Sequence, residues 1–260
     1  MNNSDRFIDK LRRGEVCLGT GICLTDPIVT EALCPTFDFF WIDTEHTTLS
    51  LECLKAHLMA MKGAETAALV RVPWNDPVLI KPVLDLGADG IIVPMVRSAE
   101  EVSQAVAACR YPPQGTRGFG PLRPLQYGRI DAQRYCDAAN EKLLVIVQIE
   151  HVDAVNNIDE ILAVDGLTSI AFGPQDLAAS LGHRAQPRHP QVLDLMRTVT
   201  EKARRAQIPV GVSVGEDPEF LGELADMGIQ WLSMGLDVTL MLRGANEVSA
   251  AVRNHVQTRR

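Results

Sequence analysis

Two acidic residues stand directly behind apolar runs of the sequence, where a charge is costly to bury. The run Leu143–Glu150 opens with five apolar residues and closes on Gln148 and Glu150, whose side chains point to one face if the run is a strand. A second run, Leu167–Phe172, is followed by Gly173, Pro174, Gln175 and Asp176. A buried carboxylate must be paired, protonated or bound to a metal. The pattern therefore indicates a hard-cation site built from two strand ends.

Further polar residues follow two earlier apolar runs. Arg71 lies between Val70 and Val72, and a guanidinium in such a strand requires an anionic partner. Three more polar groups come at the end of another run: Asp43, Glu45 and His46. Each of these polar groups follows or ends a predicted strand, as Gln148, Glu150 and Asp176 do.

Each of these residues also has an ordinary structural interpretation. Glu150 could be a rim carboxylate paired with an arginine, and Asp176 could cap a helix after the Gly-Pro turn. His46 could be a surface histidine of a loop. The chemical interpretation depends on the fold bringing these residues together.

The apolar periodicity predicts eight strands that alternate with helices. The strands are Val16–Thr20, Phe37–Asp43, Thr66–Val72, Gly90–Val93, Leu143–Glu150, Leu167–Phe172, Pro209–Ser213 and Trp231–Met234. The helices are approximately Asp26–Leu33, Ser50–Lys62, Asn75–Gly87, Ser98–Cys109, Ala132–Asn140, Pro190–Ala206, Asp217–Met227 and Asp237–Val252. This alternation predicts a single (β/α)8 TIM barrel over residues 1–260. Active sites of this fold lie at the carboxyl ends of the strands, where the polar residues above fall.

Composition narrows the classes of function. The 260 residues are 46% hydrophobic and carry a formal net charge of −8, which argues against nucleic acid and anionic membranes as partners. No apolar run is long enough to span a bilayer, and no secretory signal is recognisable. The six cysteines contain no C-x-x-C pair, so we expect reduced, mostly buried thiols in a cytoplasmic protein.

Six motifs give the chain a family resemblance from Gly19 to about Arg243. They are Asp43-Thr-Glu-His46, Val70-Arg-Val-Pro-Trp74, Leu84-Asp-Leu-Gly87, Arg110-Tyr-Pro-Pro113 with Gly115-Thr-Arg-Gly118, Val147-Gln-Ile-Glu150, and Gly173-Pro-Gln-Asp-Leu177. In this order and spacing, the chain resembles the class II, metal-dependent pyruvate aldolases, the group of 4-hydroxy-2-oxoheptanedioate aldolase and 2-dehydro-3-deoxyglucarate aldolase. The resemblance implies a barrel of the phosphoenolpyruvate/pyruvate-domain type. It also implies reversible cleavage of 4-hydroxy-2-oxo acids to pyruvate, or a close 2-oxo acid such as hydroxypyruvate, and an aldehyde through a metal-bound enolate.

The resemblance also implies roles for particular residues. Glu150 and Asp176 would bind Mg²⁺, Mn²⁺ or Co²⁺. Substrate would be bound by Arg71, Gln148, Gly173, Pro174, Gln175 and Asp176. His46 would be the base for the 4-hydroxyl, Arg71 would stabilise the enolate, and Asp85 would raise the basicity of His46. Asp43 and Glu45 would support the site. Asp85 falls near the end of a predicted helix, at the opposite rim, so either the predicted helix boundaries are wrong there or Asp85 acts from elsewhere, such as across a subunit contact.

The family implies a homohexamer, a trimer of dimers, in which the last helix packs on a neighbouring subunit. Asp237–Val252 carries an apolar stripe that suits this exchange. A helix folded back on its own barrel is the alternative. The aldehyde partner is not predicted, because Thr20-Gly21-Ile22 and the loop after Gly118 depart from the family pattern.

Four other classes of function have sequence requirements or signatures of their own. A Schiff-base aldolase needs a lysine on a barrel strand, and the six lysines fall elsewhere. A nucleotide-dependent oxidoreductase needs a G-x-G-x-x-G turn between a strand and a helix, which the chain lacks. A coenzyme A thioester carbon–carbon lyase, of the citryl- or malyl-CoA type, is the closest alternative. A non-catalytic binding barrel would keep the metal without turnover.

Overall fold

Eight parallel strands close into a barrel in sequence order, with each strand bonded to the next and β8 bonded to β1. The structure is a computed structural model, and it describes residues 3–258. The strands are β1 (Cys17–Ile22), β2 (Phe39–Asp43), β3 (Ala67–Arg71), β4 (Gly90–Val93), β5 (Leu144–Ile149), β6 (Ser169–Phe172), β7 (Val210–Val214) and β8 (Trp231–Leu236). The predicted (β/α)8 barrel is therefore confirmed.

Helices occupy the connections between the strands and both ends of the chain. They are α1 (Ser4–Arg12), α2 (Ile28–Leu33), α3 (Leu51–Ala60), α4 (Pro77–Asp85), α5 (Ala99–Cys109), α6 (Ala132–Lys142), α7 (Val152–Asn156), α8 (Ile158–Leu162), α9 (Pro174–Ser180), α10 (Pro190–Arg205), α11 (Pro218–Asp226) and α12 (Asp237–Gln257). Several begin where the sequence predicts, because Ser50, Asp76, Ser98 and Asp217 cap the helices that follow them.

The barrel interior is filled at its amino end by aromatic side chains. Phe39 packs edge-on against Trp231 with ring centroids 5.3 Å apart, and Trp41 lies 5.8 Å from the same indole. Helix α1 closes this end, because its Phe7 joins the stack 5.5 Å from Phe39 and is 2% exposed. The floor of the barrel is thus closed by packed aromatic rings.

Strand periodicity decides which polar side chains enter the barrel. In β2, β3 and β5 the residues Trp41, Leu69 and Ile146 belong to this inner core. Side chains two residues further along point the same way, so Asp43, Arg71 and Gln148 face inward at the carboxyl ends of their strands. The sequence thus places three polar groups directly above the aromatic floor.

Helix α12 departs from the compact packing of the other elements. Asp237 at its first position is buried, whereas residues 241–258 are all exposed. Exposed apolar side chains of this helix are Met241, Leu242, Val248, Val252 and Val256. Within residues 3–258 no helix is long and apolar enough to cross a membrane.

The structure corrects several predicted element boundaries. The lead-in before the first strand forms α1, which was not predicted because it has only three apolar residues among charges. Two short helices, α7 and α8, fill the connection after β5 and were also missed. Strand β8 continues past Met234 to Leu236, and α12 continues past Val252 to Gln257.

Candidate active site

Arg71 is held in the barrel mouth by two carboxylates. Its Nε donates to Asp43 Oδ1 at 2.9 Å and its Nη2 to Asp43 Oδ2 at 2.6 Å, while Nη1 lies 3.0 Å from Glu45 Oε2. The guanidinium carbon also lies 5.6 Å from the centroid of the Trp41 ring. The anionic partner that the sequence requires for Arg71 is therefore present.

The turn after β2 is folded so that it delivers these carboxylates. The hydroxyl of Thr44 donates to the carbonyl oxygen of Arg71 at 2.6 Å, and the Thr47 hydroxyl donates to the carbonyl of Asp43. Asp43 Oδ1 also accepts from the backbone N–H of Glu45 at 3.0 Å. Burial and the neighbouring acids raise the pKa of Glu45 against the effects of Arg71 and His46.

Glu150 faces the mouth beside Gln148, as the sequence predicts. It is 3% exposed, its Oε1 accepts from the backbone N–H of Met95 at 2.6 Å, and its Oε2 accepts from Gln148 Nε2 at 2.8 Å. Burial raises the pKa of Glu150 to about 7, and the nearby charges of Asp176 and Glu45 add to this effect. Both donors are uncharged, a side-chain amide and a backbone N–H, so the interpretation as an arginine-paired rim carboxylate is not supported.

Gly173 lets the two predicted metal-binding strand ends approach each other. A Cβ atom built at this position would lie 2.8 Å from Glu150 Cβ and would overlap the Glu150 carboxylate. Pro174 then starts α9, which places Gln175 and Asp176 in the first helical turn, exposed at the rim. Asp176 makes no cap contact there, because Gly173 is the N-cap residue.

The predicted base His46 lies at the outer edge of this cluster. Its side chain is 66% exposed, and its Nε2 lies 3.6 Å from Glu45 Oε2. The backbone N–H of His46 approaches Asp43 Oδ1 at 3.4 Å. The structure therefore joins His46 to the Arg71 cluster through Glu45 and leaves its imidazole open to solvent.

Asp85 is not part of this cluster within one chain. Helix α4 starts after the carboxyl end of β3 and returns to the amino rim, where Asp85 is its last residue. There the Asp85 carboxylate accepts from Arg117 Nη2 at 2.8 Å, and Arg117 stacks 4.5 Å from the Tyr111 ring. The predicted placement of Asp85 at the opposite rim is confirmed, and a contact with His46 would require another subunit.

The donor groups around Glu150 and Asp176 fit a hard divalent cation. The guanidinium of Arg71 is near the carboxylates of Asp43, Glu45 and Glu150, and Asp176 adds a fourth acid near Glu45 and Glu150, so acidic groups outnumber the arginine. The buried Oε1 of Gln148 has no hydrogen-bond partner among residues 3–258. Oxygen donors of this kind suit Mg²⁺ and Mn²⁺. No group of three or more His, Cys, Asp or Glu within that range is arranged as a metal site, so waters or substrate would complete the coordination.

Comparison with known proteins identifies the family. The profile of the HpcH/HpaI aldolase/citrate lyase family matches residues 25–244. The 4-hydroxy-2-oxo-heptane-1,7-dioate aldolase of Klebsiella pneumoniae is 35% identical over 261 residues, 99% of this chain and 97% of the relative. The chain belongs to the HpcH/HpaI aldolase/citrate lyase family.

Two further relatives agree with this membership. The hydroxypyruvate/pyruvate aldolase of Roseovarius nubinhibens is 34% identical over 251 residues, 96% of this chain and 97% of the relative. The crystal structure of a family protein from Burkholderia cenocepacia J2315 superposes with a TM-score of 0.88 at 29% identity, and the match covers 95% of this chain and 99% of that chain. The resemblance stated from the six motifs is confirmed, and the relatives named as aldolases are carbon–carbon lyases.

The positions of the lysines argue against a Schiff-base aldolase. None of the eight strands contains a lysine, and Lys142 ends α6 just before β5. A Schiff base therefore has no amine on the barrel wall. All six cysteines are free, with Cys17 and Cys109 buried and the other four half-buried, so the prediction of mostly buried thiols was too strong.

Sequence reasoning missed one contact of the candidate site. Met95 holds Glu150 through its backbone N–H, and it does so with a φ of +57°, a left-handed conformation that is unusual for methionine. No pattern in the sequence marks a backbone donor of this kind. A groove of about 830 Å³ at the amino rim, lined by residues of α1 and α10, contains none of the site residues.

Proposed function

We propose that this protein is a class II aldolase that reversibly cleaves 4-hydroxy-2-oxo acids to a 2-oxo acid and an aldehyde. The 2-oxo acid is pyruvate or a close analogue such as hydroxypyruvate. The observation that carries the proposal is a guanidinium fixed by Asp43 near two carboxylates, Glu150 and Asp176, for which residues 3–258 supply no arginine ion pair. This arrangement suits a reaction in which negative charge develops on a bound 2-oxo acid.

Glu150 and Asp176 would hold the metal ion, with Mg²⁺, Mn²⁺ and Co²⁺ as candidates. When bound, such a cation would supply a Lewis acid that stabilises negative charge on the 2-oxo oxygen. Gly173 serves this site by letting the Glu150 carboxylate stand against the start of α9. Gln148 orients Glu150 through its amide N–H and presents a free carbonyl oxygen to the substrate.

The chain's own residues account for the remaining binding steps. The first N–H groups of α9, near Gln175, have no intrahelical acceptor and can bind the substrate carboxylate. Arg71 donates to the 2-oxo oxygen, and Asp43 and Glu45 keep its guanidinium in place. The substrate then lies above the Trp41 floor, which excludes water from its reacting carbons.

Proton transfer is assigned to His46. In the cleavage direction it takes the proton of the 4-hydroxyl, the C3–C4 bond breaks to leave the aldehyde, and the electron pair moves onto the 2-oxo group as an enolate. Solvent then protonates C3 to give the free 2-oxo acid, and His46 returns its proton to solvent. Asp85 would raise the basicity of His46 only if a neighbouring subunit brought the two together, since within one chain they lie at opposite rims.

Exchange of the C3 protons of pyruvate with solvent is the direct test, because it needs no aldehyde. The purified protein with Mn²⁺ should exchange these protons for deuterium, and a panel of aldehydes should then reveal the acceptor. Absence of exchange above a metal-only blank would contradict the proposal. Borohydride with pyruvate should leave no covalent adduct, since the strands carry no lysine.

The second candidate is a coenzyme A thioester lyase of the citryl- or malyl-CoA type. The observation that favours it is the family itself, whose description includes citrate lyase. The two candidates share a cation and an enolate and differ in the group that leaves. Turnover of a hydroxyacyl-CoA, with no exchange of free pyruvate, would favour this second function.

Assembly is proposed on the basis of α12. A helix whose residues 241–258 are all exposed has little tertiary support of its own, and apolar residues such as Val248 and Val252 remain in solvent. Packing of this helix on a second copy, within a homohexamer, would cover them. We also propose a cytoplasmic location for this protein.

A further inference from the structure

A buried hydroxyl without a partner lies inside the barrel, beyond the residues assigned above. Ser233 of β8 is 0% exposed, and its Oγ has no hydrogen-bond partner among residues 3–258. It follows Trp231 of the inner core by two residues, so its side chain also points into the barrel. Leaving such a hydroxyl unpaired is unfavourable, and valine or alanine would avoid the cost.

The strand register places a second serine beside it. Ser213 of β7 is the register partner of Ser233. Ser213 also points inward, because a Cβ at Gly211, two residues earlier, would overlap the Trp231 ring. Neighbouring strands stand about 4.8 Å apart, so one oxygen between these two side chains could bond to both hydroxyls. Ser213 and Ser233 are called the serine pair.

The same register connects the serine pair to the candidate site. Ile149 pairs with Phe172, and Phe172 pairs with Val212. The residues that follow these three, Glu150, Gly173 and Ser213, are therefore neighbours along the rim. Ser233 is the next neighbour, because it pairs with Ser213. Ser213 is half-buried at the mouth, whereas Ser233 lies deeper. The serine pair thus continues the wall that starts at the proposed metal ligand.

The other wall explains which part of a substrate would reach these hydroxyls. In an eight-stranded barrel β7 lies opposite β3, and β3 carries Arg71. A 2-oxo acid held through its carboxylate at α9 and its 2-oxo oxygen at Arg71 has one end left, C3. A methyl group at C3 could not form a hydrogen bond with the two serine hydroxyls, whereas a hydroxyl group at C3 could bond to both.

We propose that the serine pair binds a hydroxyl on C3 of the 2-oxo acid, so that the enzyme favours a 3-hydroxy-2-oxo acid over pyruvate. This inference rests on the proposed aldolase function. Hydroxypyruvate is the smallest acid of this class, and the Roseovarius relative described above is named for both donors.

The test compares deuterium exchange at C3 of hydroxypyruvate and of pyruvate, each against an enzyme-free blank with the same Mn²⁺ concentration. In Ser213→Ala and Ser233→Ala the ratio of kcat/KM for hydroxypyruvate to that for pyruvate should fall about 3- to 10-fold, the worth of one hydrogen bond. Ser213→Thr keeps the hydroxyl and should keep most of the ratio. Ser233→Ala should not lower the melting temperature, because its hydroxyl has no partner to lose.

Thr200→Val is the matched control. Thr200 is another buried hydroxyl without a partner, but it belongs to α10 outside the barrel, so its removal should leave the donor ratio unchanged. If the two alanine variants still exchange both 2-oxo acids and their kcat/KM ratio is unaltered, or if kcat/KM falls equally for both acids, the role of the serine pair is wrong. The proposed aldolase function would not be affected by that result. Exchange of neither donor by the wild type would overturn the aldolase function and this inference with it.

Discussion

Arg71 and Asp43 are register partners on neighbouring strands, and they meet through two parallel hydrogen bonds of 2.9 and 2.6 Å. Strand pairing therefore sets the position of the guanidinium before any substrate is present. The side chain of Arg71 is only 15% exposed, which limits the conformations it can adopt. A guanidinium fixed in this way can stabilise a developing charge without reorganising.

Removing Arg71 should therefore affect every step that passes through the enolate. In Arg71→Ala we expect C3 exchange and aldol cleavage to fall together, each by about 10²–10³. Arg71→Lys should recover little, because an ammonium cannot make the two-point contact with Asp43. Arg188→Lys, on an exposed pair with Asp217, is the control and should be silent. Wild-type exchange in Arg71→Ala would contradict the assignment.

Activity should depend on a divalent cation held by Glu150 and Asp176. Treatment with EDTA should abolish exchange, and Mg²⁺, Mn²⁺ or Co²⁺ should restore it. Glu150→Gln and Asp176→Asn should fold normally by circular dichroism but bind Mn²⁺ weakly in a calorimetric titration, whereas the exposed Asp153→Asn should bind it normally. Full activity in a thoroughly chelated sample would rule out this site.

Removing His46 should affect cleavage and C3 exchange differently, whereas removing Arg71 should affect both alike. Since His46 serves the 4-hydroxyl in the proposed mechanism, His46→Ala should reduce cleavage by about 10²–10⁴ and reduce pyruvate exchange less. Deuterium NMR of pyruvate and an aldehyde-release assay measure the two rates on the same sample. If both rates fall equally, His46 is the base for C3 as well.

Gly173 should be intolerant of a methyl group although its backbone permits one. Its φ of −109° is accessible to any residue, so the cost in Gly173→Ala comes only from overlap with the Glu150 carboxylate. We expect weakened Mn²⁺ binding and a lower rate of exchange. Gly215→Ala, where a Cβ would meet nothing within 4 Å, is the matched control. Equal Mn²⁺ affinity in both variants would show that Glu150 can move without consequence.

The exposed face of α12 should mediate assembly. We expect Val248→Asp combined with Val252→Asp to shift the particle toward the 28.5 kDa monomer in light scattering, because the charges oppose burial of that face. Arg253→Ala, at an exposed site of the same helix, should not alter the mass. A wild-type protein that is already a stable monomer would remove the proposed hexamer.

The barrel was predictable because its strands are short apolar runs at regular spacing. The inward positions of Asp43, Arg71 and Gln148 then follow from the period of two, and a carboxylate partner for Arg71 follows from the cost of an unpaired guanidinium. Helix α1 was not predictable in this way. Only two of its apolar residues, Phe7 and Leu11, are buried. In the sequence they stand among charged residues, as in a surface segment.

Contacts that depend on the backbone were also beyond sequence reasoning. The donation from Met95 N–H to Glu150 requires a left-handed residue that no local pattern announces. The serine pair likewise emerges only from the register, because Ser213 and Ser233 are 20 positions apart and each alone resembles an ordinary strand serine. The types of the side chains thus predict the proposed chemistry, whereas the proposed preference for a 2-oxo acid depends on which strands are neighbours in the barrel.

The aromatic plug at the amino end of the barrel has a kinetic consequence. Because Phe7 and Trp231 close that end, substrates and products share a single entrance at the opposite rim. In the proposed mechanism the 2-oxo acid lies in the deeper position, above the Trp41 floor, and the aldehyde lies between it and solvent. We therefore expect ordered kinetics, in which the 2-oxo acid binds before the aldehyde and, in cleavage, the aldehyde leaves before the 2-oxo acid.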